Sequence, residues 1–320
     1  MTEELYRTMR TIRRFEERVV ELVNANEIAG VTHEYIGQEA VATGICAALR
    51  DDDVITSTHR GHGHVIAKGV PPSRMFAELL GRDTGTNHGH GGSMHIADLS
   101  LGIYGANGIV AAGTPWAAGA AWAGQQEGSD RVAVSFFGDG GLNQGVLHET
   151  MNLAAAWTLP VIFVCENNGY AVTTASETAT AGSPVERAAA YGMAAESVDG
   201  MDVEAVLAAA TVAVAHARDG GGPSFLECRT YRFVGHHTAE RTMSLGYRTD
   251  EEIERWRLRD PLTLLGGRLG QETVARIDAE VEQLLDDAVE FARSSGQPNV
   301  IAALDCVYAD GPRPRSGVAA

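Results

Sequence analysis

The chain has 320 residues, which suit one large α/β domain or two smaller ones, and either can bury a hydrophobic core; we favour one domain. Its 25 basic and 42 acidic residues give a formal net charge of −17, so we do not expect nucleic acid or an anionic membrane surface as a partner. The four cysteines lack C-x-x-C spacing and are expected to be reduced thiols in a cytoplasmic protein. We expect neither a signal peptide nor a membrane span, because the start is polar and no apolar run is long enough.

The first predicted elements surround a histidine-rich segment. Residues 1–26 form a charged amphipathic pattern typical of a helix, His33 follows, and a second helix is expected over 40–49. A strand over 54–57 leads into THRGHGH, in which the planar guanidinium of Arg60 can grip two oxygens of a phosphate group. The alternating histidines of this segment could instead bind zinc, although no nearby cysteine completes a tetrahedron.

Glycine and alanine dominate the next segments. Residues 72–81 predict a helix, and residues 85–93 form a glycine-rich stretch that is either a functional lid or a connector. The sequence PWAAGAAWAG, residues 115–124, predicts a helix whose small side chains allow another helix to approach closely. We expect a subunit contact there, with ordinary core burial as the alternative.

The segment from 131 to 170 reads as strand, helix, strand. Residues 131–137 and 159–165 are short apolar runs typical of parallel strands buried on both faces. Asp139 and its neighbouring glycines follow the first run, and Asn168 follows the second. If these strands are parallel neighbours, both side chains lie at the carboxyl edge of the sheet, where open α/β sheets bind their ligands.

Asp139 indicates which ligand this edge can accept. The glycines and the helix that opens near Asn143 favour a phosphate group, but a bare carboxylate repels one. A divalent cation between the two removes the conflict. Mg²⁺ fits because it prefers hard oxygen ligands, which Asp139, the amide oxygen of Asn168 and a backbone carbonyl near Tyr170 can supply.

Two other interpretations of this edge remain open. In a dinucleotide-binding fold, Glu166 would be the ribose-binding acid, but the loop GDGGLNQG does not have G-x-G-x-x-G spacing. In a turn without a ligand, the acid and the paired asparagines would have no function.

The last third of the chain adds one strand and several helices. Residues 173–184 are expected to be an exposed loop, Asp202 can cap a helix over 203–218, and residues 223–229 predict a buried strand. Residues 250–293 are expected to be helical, with a break at Asp260-Pro261. We predict a single domain over residues 1–310 and a disordered tail over 311–320.

Several motifs together resemble one protein family. Gly138-Asp139-Gly140 followed by Asn167-Asn168 looks like the thiamine diphosphate motif. Together with THRGHGH, GGSMH, NGIV and NQG, in this order along the chain, it resembles the alpha subunit of the thiamine-dependent first component of 2-oxoacid and acetoin dehydrogenase complexes. The resemblance implies an α/β fold in which helices flank a parallel sheet, of the thiamine diphosphate-binding, transketolase-like kind.

The resemblance also implies which residues bind the cofactor and the metal. His59 stands where relatives carry an aromatic residue beside the arginine, and Val110 stands where they place an apolar prop under the cofactor. Thiamine diphosphate is expected to contact His59, Arg60, Gly108, Val110, Asp139, Gly140, Gly141, Asn168, Tyr170 and His236, and Mg²⁺ to contact Asp139, Asn168 and Tyr170.

Three histidines are implied as catalytic residues. His62 and His33 match histidines at the family's active site. A further catalytic histidine follows the last strand, and matching its Gly-His step selects His236, whereas a Gly-His-His variant would select His237. A surface pair with no function is the remaining alternative.

The implied activity needs other proteins. A separate beta subunit supplies the glutamate that activates the cofactor, in a heterotetramer of two alpha and two beta chains. The acyl group, released when the bond beside a carbonyl breaks, then passes to a lipoyl-bearing acyltransferase component. The motif wording is closer to acetoin than to pyruvate dehydrogenases. Half of a split transketolase, or another thiamine enzyme that forms or cleaves acyloins, is the alternative.

Overall fold

The structure, a computed structural model, describes residues 1–243 and 245–299, in which strands alternate with helices. The strands are β1 (Val54–Thr56), β2 (Ala133–Gly138), β3 (Val161–Asn167), β4 (Tyr170–Ala171), β5 (Thr174–Ala175), β6 (Ala194–Asp199) and β7 (Ser224–Arg229). The helices are α1 (Thr2–Asn24), α2 (Glu39–Ala47), α3 (His62–Ala67), α4 (Pro72–Leu79), α5 (Gly113–Glu127), α6 (Gly145–Ala156), α7 (Ser176–Ala179), α8 (Pro184–Ala189), α9 (Val203–Arg218), α10 (Asp250–Arg257), α11 (Pro261–Leu269) and α12 (Gln271–Ser294).

A parallel sheet with the strand order β1-β2-β3-β7-β6 forms the centre of the fold. In its register Gly138 lies opposite Glu166 on the neighbouring strand, so Asp139 and Asn168 leave the sheet at the same edge. The structure therefore confirms that β2 and β3 are parallel neighbours. Helices lie on both faces of the sheet, which confirms the predicted α/β class.

The side chains of β2 alternate between two hydrophobic clusters. Val134 and Phe136 pack in the larger cluster with α1, α2, α9 and α12, whereas Ala133 and Phe137 pack on the opposite face with α5 and α6. Since both faces are covered, apolar residues occur on both sides of the strand, and its one hydroxyl side chain, Ser135, is buried and accepts a hydrogen bond from Thr56.

Strand β6 was not predicted from the sequence. It lies at the edge of the sheet, and residues such as Ala194, Glu196 and Ser197 are exposed or half-buried there. An edge strand with one solvated side has no continuous apolar run, so its pattern resembles that of a loop.

The N-terminal helix packs against the last described helix. Buried residues such as Met9 and Ile12 form its apolar face. Arg10 pairs with Asp278 at 3.0 Å, and Arg18 pairs with Asp286 at 2.8 Å. The amphipathic face predicted for residues 1–26 is therefore buried within this chain.

Side-chain caps begin some of the later helices, as predicted for Asp202. Asp202 accepts hydrogen bonds from the N–H groups of Glu204 and Ala205 at the start of α9, and Asp260 accepts one from Leu262 at the start of α11. Residues 173–184, in contrast, are not the plain loop that was expected. They include β5, the single turn α7 and the beginning of α8, because Ser176 N–H bonds to Gly169 O and Pro184 starts a helix.

Some expectations fall on residues outside the described part. The tail over 311–320 and Cys306 lie there, and the single domain over 1–310 stays a prediction. Cys46, Cys165 and Cys228 are buried and unpaired. Within the described residues, no helix combines the length and the apolar character needed to cross a bilayer.

Candidate active site

A cavity of about 250 Å³ opens at the carboxyl edge of the sheet, beside β2 and β3. All of the residues predicted to bind cofactor or metal line it, and so do two of the three predicted catalytic histidines. Those that line it are His33, His59, Arg60, Gly108, Val110, Asp139, Gly140, Gly141, Asn168, Tyr170 and His236.

Asp139 is the buried acid of this cavity. It starts the short 3₁₀ turn that follows β2, and only 2% of its surface is exposed. Its Oδ2 atom has no hydrogen-bond partner among the described residues. Burial raises the pKa of this carboxyl group, against the opposing effect of hydrogen bonds from the Ser176 hydroxyl and the Asn168 backbone N–H. A cation at Oδ2 would compensate the lost hydration.

Asn168 and Tyr170 lie beside this acid with their side chains held in place. The Asn168 amide nitrogen donates to Gln38 Oε1 at 2.8 Å, and its oxygen accepts from the Tyr170 N–H at 3.2 Å. The hydroxyl group of Tyr170 donates to Glu252 at 2.9 Å, so we do not assign this hydroxyl group as a metal ligand. The backbone carbonyl remains the predicted metal ligand of Tyr170.

Gly140 is required by a close approach of the backbone. A Cβ atom at this position would lie 2.9 Å from the Cβ atom of Ala171, which is closer than carbon atoms pack. The turn after β2 can therefore pack this closely against Ala171 only with glycine at position 140.

Two buried guanidinium groups supply positive charge. Arg60 donates to Glu34 O at 2.7 Å and to His236 O at 2.8 Å. Burial, and next the charge of Arg232, lower the pKa of Arg60 to about 10. Arg232 is 1% exposed, and its Nη1 atom has no partner among the described residues. Within the part of the chain that the structure describes, neither guanidinium group forms an ion pair with a carboxylate, so both suit an anionic ligand.

Arg232 was not selected from the sequence, although it lines the cavity. It lies three residues after β7 and four residues before His236. The sequence did contain a signal for Arg232, namely a basic residue just after the carboxyl end of the buried strand β7. This strand pairs with β3, which Asn168 directly follows. Gln38 also lines the cavity and accepts a hydrogen bond from Asn168, but no pattern in the sequence indicates this role.

His33, His59 and His236 form a cluster of imidazole rings. The ring centroids of His33 and His59 are 4.7 Å apart, and those of His33 and His236 are 4.9 Å apart. Burial is the main cause that lowers the pKa of His33 and of His236 to about 2 and that of His59 to about 3. All three rings are therefore neutral at physiological pH. His237 lies beside the cluster, 5.8 Å from His33 between centroids.

His62 does not line the cavity. Its Nδ1 atom lies 2.9 Å from Glu16 Oε2, and its Nε2 atom lies 2.9 Å from Ser93 Oγ. The ring is completely buried. The catalytic role of His62 stays a prediction, and in this geometry the ring could reach a ligand only through Ser93.

The alternating histidines of THRGHGH do not form a zinc site in this structure. His62 faces Glu16, while His64 bonds to Ser57 at 2.7 Å and to Glu166 at 3.1 Å. His59 points instead toward His33 and His236. Glu166 is thus occupied inside the protein, with Tyr35 as a further hydrogen-bond donor, which argues against a ribose-binding role.

A second cavity, of about 810 Å³, is larger than the first. It shares Asn168 and Tyr170 with the first cavity, but its lining contains neither Asp139 nor a histidine. The smaller cavity has the residue types needed for chemistry, so we take it as the candidate active site.

Comparison with known proteins gives a consistent result. A model of the family described as dehydrogenase E1 component matches residues 7–301. The alpha subunit of acetoin:2,6-dichlorophenolindophenol oxidoreductase from Bacillus subtilis (strain 168) is 47% identical over 310 residues, covering 95% of this chain and 92% of that protein. The same subunit from Cupriavidus necator is 47% identical over 312 residues, covering 95% and 93%. The pyruvate dehydrogenase E1 component subunit alpha from Rhizobium meliloti (strain 1021) is 41% identical over 303 residues, covering 92% and 86%. The chain therefore belongs to the dehydrogenase E1 component family, as its motifs predicted.

Proposed function

We propose that this chain is the alpha subunit of a thiamine diphosphate- and Mg²⁺-dependent dehydrogenase that acts on acetoin or a 2-oxoacid. The names of its relatives, acetoin oxidoreductase and pyruvate dehydrogenase alpha subunits, support the substrate class. The single structural observation that carries the proposal is the buried, unpartnered Oδ2 atom of Asp139 in a cavity that also contains two buried cations.

The residues present fit a diphosphate bridged to a magnesium ion. Mg²⁺ prefers oxygen ligands, and Asp139, Asn168 and the Tyr170 carbonyl would supply the protein's share. Arg60 and Arg232 would bind the phosphate oxygens that the metal leaves free. Gly140 lets the turn that carries Asp139 pack against Ala171, because a Cβ atom there would lie 2.9 Å from the Cβ atom of Ala171.

Thiamine diphosphate, when bound, supplies the carbanion chemistry that attacks a carbonyl carbon and allows the adjacent carbon–carbon bond to break. The chain's own part concerns protons and orientation. Arg60 donates to Nδ1 of His236, so the proton of this neutral ring is on Nε2. His236 therefore offers an N–H donor to a negatively charged oxygen. His33 offers a neutral ring nitrogen that can accept a hydrogen bond, since a pKa lowered to about 2 keeps the ring unprotonated near neutral pH.

A beta subunit is part of the proposal. The cavity of about 250 Å³ is smaller than the roughly 300–1,000 Å³ of typical cofactor pockets, which fits a site completed by a second chain. Ile109 and Val110 at its rim are 73% and 46% exposed, which fits burial under a partner. We further propose a heterotetramer of two alpha and two beta chains, a lipoyl-bearing acyltransferase as acyl acceptor, and a cytoplasmic location.

The relatives do not favour the alternatives of half a split transketolase or another acyloin-converting thiamine enzyme. Sugar-phosphate transfer by the purified complex would support the first alternative. Turnover of acetoin, pyruvate or branched 2-oxoacids with an artificial electron acceptor would support the dehydrogenase.

The proposal is tested by calorimetric titration of the chain, co-expressed with its beta subunit, with thiamine diphosphate and Mg²⁺. We expect saturable binding by the wild type and a loss of more than about 100-fold in affinity in Asp139→Ala, because a direct metal ligand is removed. Asp51→Ala, which changes an exposed acid, is the matched control. Equal affinity in the two variants would contradict the proposed cofactor site.

A further inference from the structure

Three histidines from distant parts of the sequence meet at the wall of the candidate active site. His33 lies between α1 and α2, His59 follows β1, and His236 follows β7. One ring nitrogen of each lies within 4.8 Å of the ring nitrogens of the other two. Within the described part of the chain, no carboxylate is hydrogen-bonded to these nitrogens, whereas Glu16 and Glu166 bond to the rings of His62 and His64.

Backbone contacts fix the three segments relative to one another. The N–H of Thr32 donates to Thr238 Oγ1 at 3.1 Å, and the N–H of Thr238 donates to Thr32 O at 2.9 Å. Arg60, which adjoins His59, bonds to the carbonyl oxygen of Glu34 beside His33. The cluster is therefore held in place before any ligand binds, which reduces the cost of ordering it.

The three rings have the protonation state that a metal ion requires. An imidazole binds a metal through an unprotonated nitrogen, and burial keeps all three rings neutral. The ring of His33 is 7% exposed, and its Nδ1 atom has no hydrogen-bond partner among the described residues. A buried polar atom without a partner is costly unless a ligand occupies it.

We propose that His33, His59 and His236 form a binding site for Zn²⁺ or a similar borderline cation, with one open coordination position toward the cavity. This site is separate from the Mg²⁺ site at Asp139. The two cations are sorted by ligand chemistry, because imidazole suits Zn²⁺ whereas carboxylate, amide and carbonyl oxygens suit Mg²⁺.

The rings need only local movement to bind. Zn–N bonds of about 2.0–2.1 Å put tetrahedral ligand nitrogens roughly 3.4 Å apart, so the widest pair has to close by roughly 1.4 Å. His59 and His236 are half-buried, so the cavity side of each ring is not fully enclosed by protein. If Zn²⁺ takes either nitrogen of His236, the Arg60 hydrogen bond to Nδ1 is lost or rearranged, but Arg60 keeps its bonds to two backbone carbonyls.

Occupancy of this site inhibits the enzyme. A bound Zn²⁺ takes nitrogen lone pairs of the imidazoles to which the proposed function assigns hydrogen bonds with the reacting groups, and it places a cation in the substrate's path. The inhibitory effect rests on the proposed function, whereas metal binding itself does not. A chelator that removes Zn²⁺ without stripping Mg²⁺ restores activity.

The binding test uses the alpha–beta complex without thiamine diphosphate. Zn²⁺ is titrated against a chromophoric chelator, and we expect one tightly bound Zn²⁺ per alpha chain. His33→Ala and His59→Ala are each expected to weaken binding at least about tenfold. His88→Ala removes a histidine that is 69% exposed and is the matched control. Absence of tight binding, or equal affinity in His33→Ala and His88→Ala, overturns the proposal.

Two further measurements do not depend on the folding of a histidine variant. X-ray absorption of the wild-type Zn²⁺ complex should show three imidazole ligands, and two or fewer would contradict the site. The Asp139→Ala variant should keep its Zn²⁺ affinity while losing thiamine diphosphate, so the metal site and the proposed function can fail separately. Full turnover with Zn²⁺ bound at three imidazoles would overturn the inhibitory role.

Discussion

The guanidinium group of Arg60 donates hydrogen bonds to both Nδ1 and the backbone oxygen of His236, at 3.1 and 2.8 Å. The two residues follow strands β1 and β7, which are separated in the sheet by β2 and β3. One cation therefore holds the ring of the predicted catalytic histidine and also lies in the cavity proposed for the diphosphate. Arg60 therefore links the orientation of His236 to the proposed binding of the cofactor.

Replacing Arg60 by Gln should weaken both functions. Loss of charged hydrogen bonds costs about 1.5–3 kcal/mol, so we expect affinity for thiamine diphosphate to fall roughly 10- to 100-fold. The ring of His236 also loses its fixed tautomer, so kcat should fall even at saturating cofactor. Calorimetry and steady-state kinetics measure the two effects. Arg50→Gln, which changes an exposed arginine paired with Asp52 and Asp130, should change neither.

Asp139→Asn should stabilise the protein when cofactor and metal are absent. The pKa of Asp139 is raised in the folded state, so the carboxyl group favours folding when it is protonated, and this contribution is lost as pH rises through the folded pKa. At about pH 7.5 the variant should therefore have the higher Tm, and the difference should shrink toward about pH 4. Scanning calorimetry with a chelator present measures it. Thiamine diphosphate with Mg²⁺ should raise the Tm of the wild type alone.

Gly140→Ala should disturb the turn that carries Asp139. The added methyl group would lie 2.9 Å from Ala171 Cβ, and overpacking of this kind costs about 1–3 kcal/mol. We expect a lower Tm and weaker cofactor binding. Gly145→Ala is the control, because a Cβ atom there meets no atom within 4 Å. If both variants bind cofactor like the wild type, the close contact does not shape the site.

Ile109→Glu should weaken association with the beta subunit. This side chain is 73% exposed at the cavity rim, and a charge in a buried interface is costly without a partner. Val212→Glu alters a valine on α9 that is 67% exposed but does not line the cavity. Sedimentation analysis of the co-expressed chains should show free alpha subunit for the first variant only. Intact complexes in both would place the interface elsewhere.

Strands buried on both faces were the most predictable part of the fold. The apolar runs that became β2 and β3 are continuous because helices cover both sides, and the register then brought Asp139 and Asn168 to one edge. Strand β6 was not predicted because part of it is exposed to solvent, and a polar edge strand has no continuous apolar run in its sequence.

The residues of the site were predictable where a local motif carried them. Asp139 and its glycines form such a motif. Arg232 belongs to no motif, and it becomes a candidate only because the fold brings it into the same cavity as the distant Arg60. His62 shows the opposite case, since its motif is typical of an active site but Glu16, on the N-terminal helix, occupies one of its nitrogens. Whether such a residue reaches the site depends on contacts between residues far apart in the chain, and a local sequence pattern carries no information about those contacts.

The buried charged groups around the cavity also affect how easily the protein unfolds and is degraded. Arg60 and Arg232 are buried and form no ion pair with a carboxylate among residues 1–243 and 245–299, and Oδ2 of the buried Asp139 has no hydrogen-bond partner there, so a metal-bound diphosphate would offset part of their desolvation cost. A ligand that binds only the native state adds stability as its concentration exceeds its Kd. Scarcity of the vitamin from which the cofactor is made should therefore leave this subunit easier to unfold and to degrade, in addition to leaving it inactive.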